Sequence, residues 1–172
     1  MITKIILLVA LIGNIVYAQN NENKTSKNAT VPGSNTDVKA ERKDAAQAVK
    51  VNDLQKAIGS YEKIISSGNA TAMDYNTLGW NYLLTTQYAK AFNVLNIAAT
   101  MDSKNLYIKG NLAHVHLLTG DPKKAKEIYT KYKGQAVDDT MSWKQMIEID
   151  FQEFKARGIT SEHFDKILAA LR

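Results

Sequence analysis

The sequence predicts an all-α fold made of helix pairs that stack on one another. Ala57, Ala91 and Ala125 recur at one constant interval, each followed four positions later by a large side chain: Tyr61, Leu95 or Tyr129. The same offset maps Leu78 onto Leu112, Gly79 onto Ala113 and Tyr82 onto His116. A period of about 34 residues marks units that cannot bury their own apolar face and must stack. Helical apolar spacing continues through residues 37–172, and no strand-like alternation persists long enough to compete. A stacked scaffold of this kind presents a surface, so the expected activity is binding and not bond-making.

Each element follows from local signals. Lys4, an apolar run over residues 5–16 and the small residues of Val16-Tyr17-Ala18 predict a signal peptide over residues 1–18, cleaved before Gln19. The run is shorter than the roughly 20 apolar residues that a membrane span needs. Residues 19–36, rich in Asn, Ser, Thr and Lys around Val31-Pro32-Gly33-Ser34, lack apolar periodicity and predict a flexible polar linker. Asp37 caps a first helix through Val49, and Asn52-Asp53 caps a second with Leu54, Ala57, Ile58, Tyr61, Ile64 and Ile65 on one stripe. Gly68-Asn69 ends it.

Further helices are expected over residues 72–85, 88–101, 105–119, 122–132, 141–157 and 161–171. The turn Gly120-Asp121-Pro122 is the clearest local signal, with residues suited in order to a C′ position, an N-cap and a first helical position. The folded part thus spans residues 37–172, in units of about 38–71, 72–105 and 106–139 with a divergent final pair over 140–172.

Composition bounds the rest. No cysteine is present, which excludes disulfides, thiolate metal sites, a cysteine nucleophile and attachment through a lipidated N-terminal cysteine. Without residues 1–18 about 150 residues remain, enough for one packed domain. The net charge of +5 falls to +4 with the loss of Lys4, and lysines interleave with acids, as in Lys123-Lys124-Ala125-Lys126-Glu127. That pattern does not predict nucleic-acid binding.

With the residues laid out this way, the chain resembles the tetratricopeptide repeat family. The match is best at Tyr75-x-x-Leu78-Gly79-x-x-Tyr82 followed by Ala91, Leu95 and Ala98, and the next unit keeps Leu112-Ala113, Ala125 and Tyr129. Lys109 and His116 replace aromatics, Asp44-Ala45 replaces Leu-Gly in the first unit, and Ser103 stands where the family prefers proline. The resemblance covers residues 38–132 well and extends weakly to Leu171. It implies a right-handed α-solenoid of antiparallel helix pairs, a superhelix whose concave groove is lined by each pair's first helix.

It also implies which side chains line that groove: Met73, Asn76, Trp80 and Leu83; then Tyr107, Asn111 and His114; then Lys144, Gln145 and Glu148. Of these, Asn76, Trp80, Tyr107, Asn111, His114 and Lys144 are the candidate peptide-binding residues. Trp and Tyr supply large, low-entropy contact area, and Asn can bond an extended backbone through both donor and acceptor. The alternative for Trp80 and Tyr107 is that they merely cover the adjacent unit.

Catalytic ingredients are scarce. His114 and His116 point roughly 200° apart on a helix, so they do not chelate one metal. His116 falls where a packing aromatic belongs, and His163 lies near the start of the last helix. Glu148 with Asp150, or Asp138 with Asp139, has no base or electrophile beside it, and the dispersed glycines form no phosphate-cradling loop. No catalytic residue, metal or cofactor is expected. Lys123, Lys124, Lys126, Lys131 and Lys133 are expected on a solvated convex face, with an acidic partner as the alternative.

The sequence therefore predicts an exported bacterial protein, periplasmic or secreted and not inserted in the membrane after cleavage. Its partner is a peptide or protein segment held in the groove. A self-associating structural element and an enzyme with an unrecognised site are the competing classes.

Overall fold

The computed structural model describes residues 35–172, with side chains from residue 37 onward. The expected signal peptide over residues 1–18 and the expected linker as far as residue 34 lie outside the described residues. Eight α-helices follow: α1 (Asn35–Lys50), α2 (Leu54–Ser66), α3 (Ala72–Leu84), α4 (Tyr88–Met101), α5 (Leu106–Leu118), α6 (Pro122–Lys131), α7 (Trp143–Ala156) and α8 (Phe164–Ala170). Among the described residues the β pairing recorded is one isolated bridge, Ala136 with Ser142. The protein is all-α. Helix α1 takes in the last two positions assigned to the linker. Helix α8 starts three residues later than expected, because Ser161 closes a tight turn first, through Phe164 N–H to its carbonyl and His163 N–H to its hydroxyl.

Caps set most of the boundaries. The side chains of Asp53, Asn105 and Asp121 each accept a first-turn backbone N–H, and Thr71–Asp74 and Ser142–Gln145 form reciprocal capping boxes. Asp74 serves twice. Its carboxylate also receives Arg42 of α1, with Arg42 Nη2 2.7 Å from Oδ2, which ties the first pair to the second.

Neighbouring helices pack in sequence. Helix α1 lies on α2, α3 on α4 and α5 on α6, while α2 with α3 and α4 with α5 join one pair to the next. The repeat is written into the backbone. Asn52 (φ 61°), Thr86 (φ 58°) and Gly120 (φ 89°), set apart by the same interval as the alanines, are all left-handed. Each precedes an N-cap, Asp53, Gln87 or Asp121, whose N–H donates back to Ala48, Tyr82 or His116 at 2.8 Å in all three cases. This is the six-to-one bond of a Schellman-type helix end.

Four residues beyond each of these caps stand Ala57, Ala91 and Ala125, all fully buried, and Tyr61, Leu95 and Tyr129 follow, also buried. The three alanines occupy like junctions. A side chain larger than hydrogen does not fit at Gly79, where an added Cβ falls 2.5 Å from Leu95 Cγ. That small residue lets α3 and α4 approach.

Of the three turn residues, Thr86 carries a β-branched side chain at positive φ, which costs about 1–2 kcal/mol. Thr86→Gly should therefore raise unfolding stability by about 1 kcal/mol after allowing for the extra freedom of an unfolded glycine. Urea denaturation checks this; a destabilised variant would mean that Thr86 makes a contribution its exposed position does not reveal.

The fourth pair keeps the turn and loses the spacing. Gly158 (φ 73°) precedes Ile159, whose N–H donates to Phe154 at 2.9 Å, but Gly158 follows Gly120 by the repeat interval and four positions more. The four extra residues amount to about one helical turn and fall in the connection between α6 and α7. By the turns, the position of His114 is met in α7 by Gln152, not Glu148.

Candidate binding surface

Five of the six sequence-predicted groove residues are buried. Asn76 and His114 are 0% exposed, and Trp80, Tyr107 and Asn111 are 8% or less. Lys144, on α7, is half-exposed and pairs with Glu148 across one turn at 3.4 Å. Helices α3 and α5 do turn these side chains toward a common face, where Asn111 Nδ2 donates to Asn76 Oδ1 at 2.9 Å and the rings of Trp80 and His114 lie 6.1 Å apart. What covers that face is the chain's own α7.

Helix α7 crosses from one pair to the next. At its start, Trp143 is fully buried, donates its indole N–H to the Tyr129 carbonyl at 2.8 Å and packs edge-on against Tyr132. One turn on, Met146 lies against Gly110, where an added Cβ would fall 2.6 Å from its methyl. Phe151 meets His114 and Tyr129. Phe154 reaches both His114 (5.1 Å) and Trp80 of α3 (5.2 Å). Beyond the last turn, Arg157 pairs with Glu153 and donates to Asn52 Oδ1, in the first pair's turn. Phe164 of α8 stacks on Phe151 at 4.2 Å and closes the outer side.

The sequence reading did not single out Phe151, Phe154 or Arg157. For the two aromatics the signal was present, because Phe151 and Phe154 continue the helical apolar stripe of Trp143, Met146 and Ile147. Their partners in the three preceding pairs were not legible.

A buried polar chain runs through this packing. Tyr129 Oη lies 2.7 Å from His114 Nδ1, and His114 Nε2 lies 3.0 Å from Asp150 Oδ2. An ionised carboxylate only accepts, so Nε2 carries the proton and donates to Asp150. Both ring nitrogens are used, Nε2 tying α5 to α7 and Nδ1 tying it to α6.

Burial, and secondarily the Asp150 charge, hold the Tyr129 phenol well above its ordinary pKa. Burial and then the Asp74 charge push Tyr61 up to about 12. Because both folded values exceed the unfolded value of about 10, the stability linked to these phenols is complete below pH about 10 and is lost as pH rises from there through about 12. Urea midpoints should fall across that window, with tyrosinate absorbance rising as the protein unfolds. Tyr61→Phe should flatten the dependence, and an unchanged slope in that variant would remove this cause.

A cavity of about 530 Å³ sits between the α4–α5 and α6–α7 connections, lined by Lys104, Leu106, Tyr107, Tyr132, Gln135 and Val137. Tyr107 donates its hydroxyl to Asp138 there. Burial works to raise the Asp138 carboxyl, but hydrogen bonds from Tyr107 and Thr140 outweigh it and hold the group below its ordinary value. Two aromatic walls with a lysine and a primary amide at the rim suit a peptide side chain and backbone.

The remaining predicted positions are less central. His116 is half-buried, with its ring edge-on to Phe92 and Nδ1 3.9 Å from Asp121. His163 is half-exposed beside Glu162. No group of three or more His, Asp or Glu side chains is placed to hold a metal among the described residues. No described helix is long and apolar enough to cross a membrane.

These features define a class: an all-helical protein of repeated helix pairs whose inner face is largely closed by its own penultimate helix. Comparison with family models, with curated proteins and with solved structures finds no match for this chain.

Proposed function

We propose that the protein is a non-catalytic interaction scaffold of the tetratricopeptide type, a right-handed superhelix of antiparallel helix pairs, exported to the bacterial envelope. It holds a peptide or protein segment at the open end of its inner face. The observation that carries this reading is the recurrence of one left-handed turn at Asn52, Thr86 and Gly120, since repetition of a hairpin-like unit yields an extended surface and no single enclosed centre.

In this reading Asn76, Trp80, Asn111 and His114 serve as the wall on which α7 rests, and Tyr107 with the cavity rim meets the partner. Lys144 stands at the edge of that wall, where its pairing with Glu148 leaves it available for exchange with a partner carboxylate.

The test is affinity capture from an envelope extract with the full chain and with a Lys104→Glu/Gln135→Arg rim variant. Stoichiometric recovery of a discrete partner by the wild type, reduced about tenfold in the variant, is the expected result for a contact at a binding hot spot. Equal recovery removes the cavity as the binding surface, and recovery of nothing by either overturns the scaffold reading. Export is checked separately by the mass of the protein in the envelope fraction, which should begin at Gln19.

A further inference from the structure

The connection between α6 and α7 is the longest in the described chain, and it folds back on itself. Val137 N–H donates to the Met141 carbonyl and Trp143 N–H to the Gln135 carbonyl, both at 2.8 Å, which sets Ala136 opposite Ser142 as an isolated antiparallel bridge. In a pair joined this way the bonds belong to the flanking residues, and the N–H and C=O of the central residue point away from the partner segment. Ala136 N–H and C=O accordingly have no hydrogen-bond partner among the described residues, and Ala136 is exposed. Their edge borders the cavity. Side chains of an extended segment alternate between its two faces, yet Gln135, Ala136 and Val137 all line that one space. Successive residues share a cavity in this way when their main chain forms its wall. The loop is also held in place beforehand, because Asp138 accepts the Tyr107 hydroxyl and both the N–H and the hydroxyl of Thr140.

We infer that the Gln135–Val137 edge takes an extended segment of a partner protein by strand addition. One residue of that segment exchanges main-chain hydrogen bonds with Ala136, and a neighbouring side chain seats against Tyr107 and Tyr132. Main-chain pairing supplies the affinity in such docking, and the pocket for alternate side chains supplies the selectivity. The unpaired main-chain groups themselves select this occupant. A helix has its backbone groups engaged in its own ladder and offers none to Ala136. A second copy of this chain carries its equivalent edge in the same recess, faced by Ser103 and Lys104 of its own α4–α5 connection, which would have to pass into the first copy's cavity. A loop or terminus of a partner enters that space without bringing a folded body with it. The inference deepens the reading of the cavity as the binding place and rests on it, adding which main-chain groups do the binding.

The test uses the full chain and a labelled, end-blocked peptide of about seven residues, with threonine and valine alternating around a central tyrosine. Fluorescence anisotropy should show saturable binding. Methylating the peptide's amide nitrogens one at a time should weaken binding about tenfold at one position, through loss of a main-chain hydrogen bond. The positions on either side, whose N–H groups point away, should change by less than about twofold. Ala136→Pro removes the Ala136 N–H without breaking a hydrogen bond among the described residues, and proline is tolerated at a strand edge. It should weaken binding about tenfold with an unchanged urea midpoint. The methylated peptides need no change in the protein, so they decide the matter even if the proline variant is unstable. The Lys104→Glu/Gln135→Arg rim variant separates this inference from the reading it rests on. Binding lowered by the rim changes but indifferent to every methylation and to Ala136→Pro overturns strand addition and leaves the cavity as the site. Binding indifferent to the rim changes overturns both. No binding at millimolar peptide overturns strand addition alone, since the capture experiment decides the cavity. A concentration-dependent dimer in sedimentation, abolished by Ala136→Pro, overturns it in favour of a second copy.

Discussion

Trp143→Ala should lower unfolding stability by about 4 kcal/mol, the largest single-residue loss expected in this chain. The indole is fully buried and packs on Tyr132 at 5.3 Å. Truncating a buried tryptophan to alanine costs about 3–5 kcal/mol through lost transfer energy and the cavity left behind. The indole N–H also satisfies the Tyr129 carbonyl at the end of α6, where a last-turn carbonyl has no partner within its own helix. Against a total stability of about 5–15 kcal/mol, such a loss leaves the fourth pair poorly held. Trp143→Phe should fall between, since it keeps most of the apolar area and loses the donor, at about 1–2 kcal/mol. Urea denaturation followed by far-UV circular dichroism reads both. A loss under about 1 kcal/mol for the alanine variant would mean that α7 is not seated on α5 and α6.

His114→Leu should cost about 3 kcal/mol, and the cost should shrink when its partners are also replaced. Leucine fills much of the volume but strands the Tyr129 hydroxyl in the interior and leaves the nearly buried Asp150 carboxylate without its donor. Removing one member of a buried polar chain costs more than removing all of it, because the penalty lies in the unpaired groups that remain. The triple variant His114→Leu/Tyr129→Phe/Asp150→Leu should therefore recover at least half of the loss. Strict additivity among the three changes, measured by a full set of single, double and triple variants, would show that the groups are not coupled.

Much of the fold was legible before any coordinates. Asp53 and Asp121-Pro122 announced the starts of α2 and α6, and Gly120 announced the turn between α5 and α6, since capping depends on residues three or four positions apart. The Ser142-x-x-Gln145 box was equally legible but passed unread, which placed the start of α7 two residues early. Thr86 at positive φ could not be read from its own identity. It became visible only through its correspondence with Gly120, one repeat later.

The candidate site was half legible. Asn76, Trp80, Tyr107, Asn111 and His114 were assigned to one inward face through the resemblance to tetratricopeptide repeats, and α3 and α5 do bring Asn76 to Asn111 and Trp80 to His114. Their burial was not foreseen. The constant interval was carried past Tyr132, where the turns show four positions more. With four extra residues in that non-helical connection, Phe151 and Phe154 come against His114, and Phe154 against Trp80.

The period, the helix ends and the close-packed junctions at Ala57, Ala91 and Ala125 were fixed by the order of residues, because each depends on neighbours within about one turn or on strict repetition. The closure of the inner face came from the three-dimensional arrangement alone. Phe154 meets Trp80 and Arg157 meets Asn52 from the far end of the chain, and contacts of that span depend on how whole helices fit by shape, which no local spacing encodes.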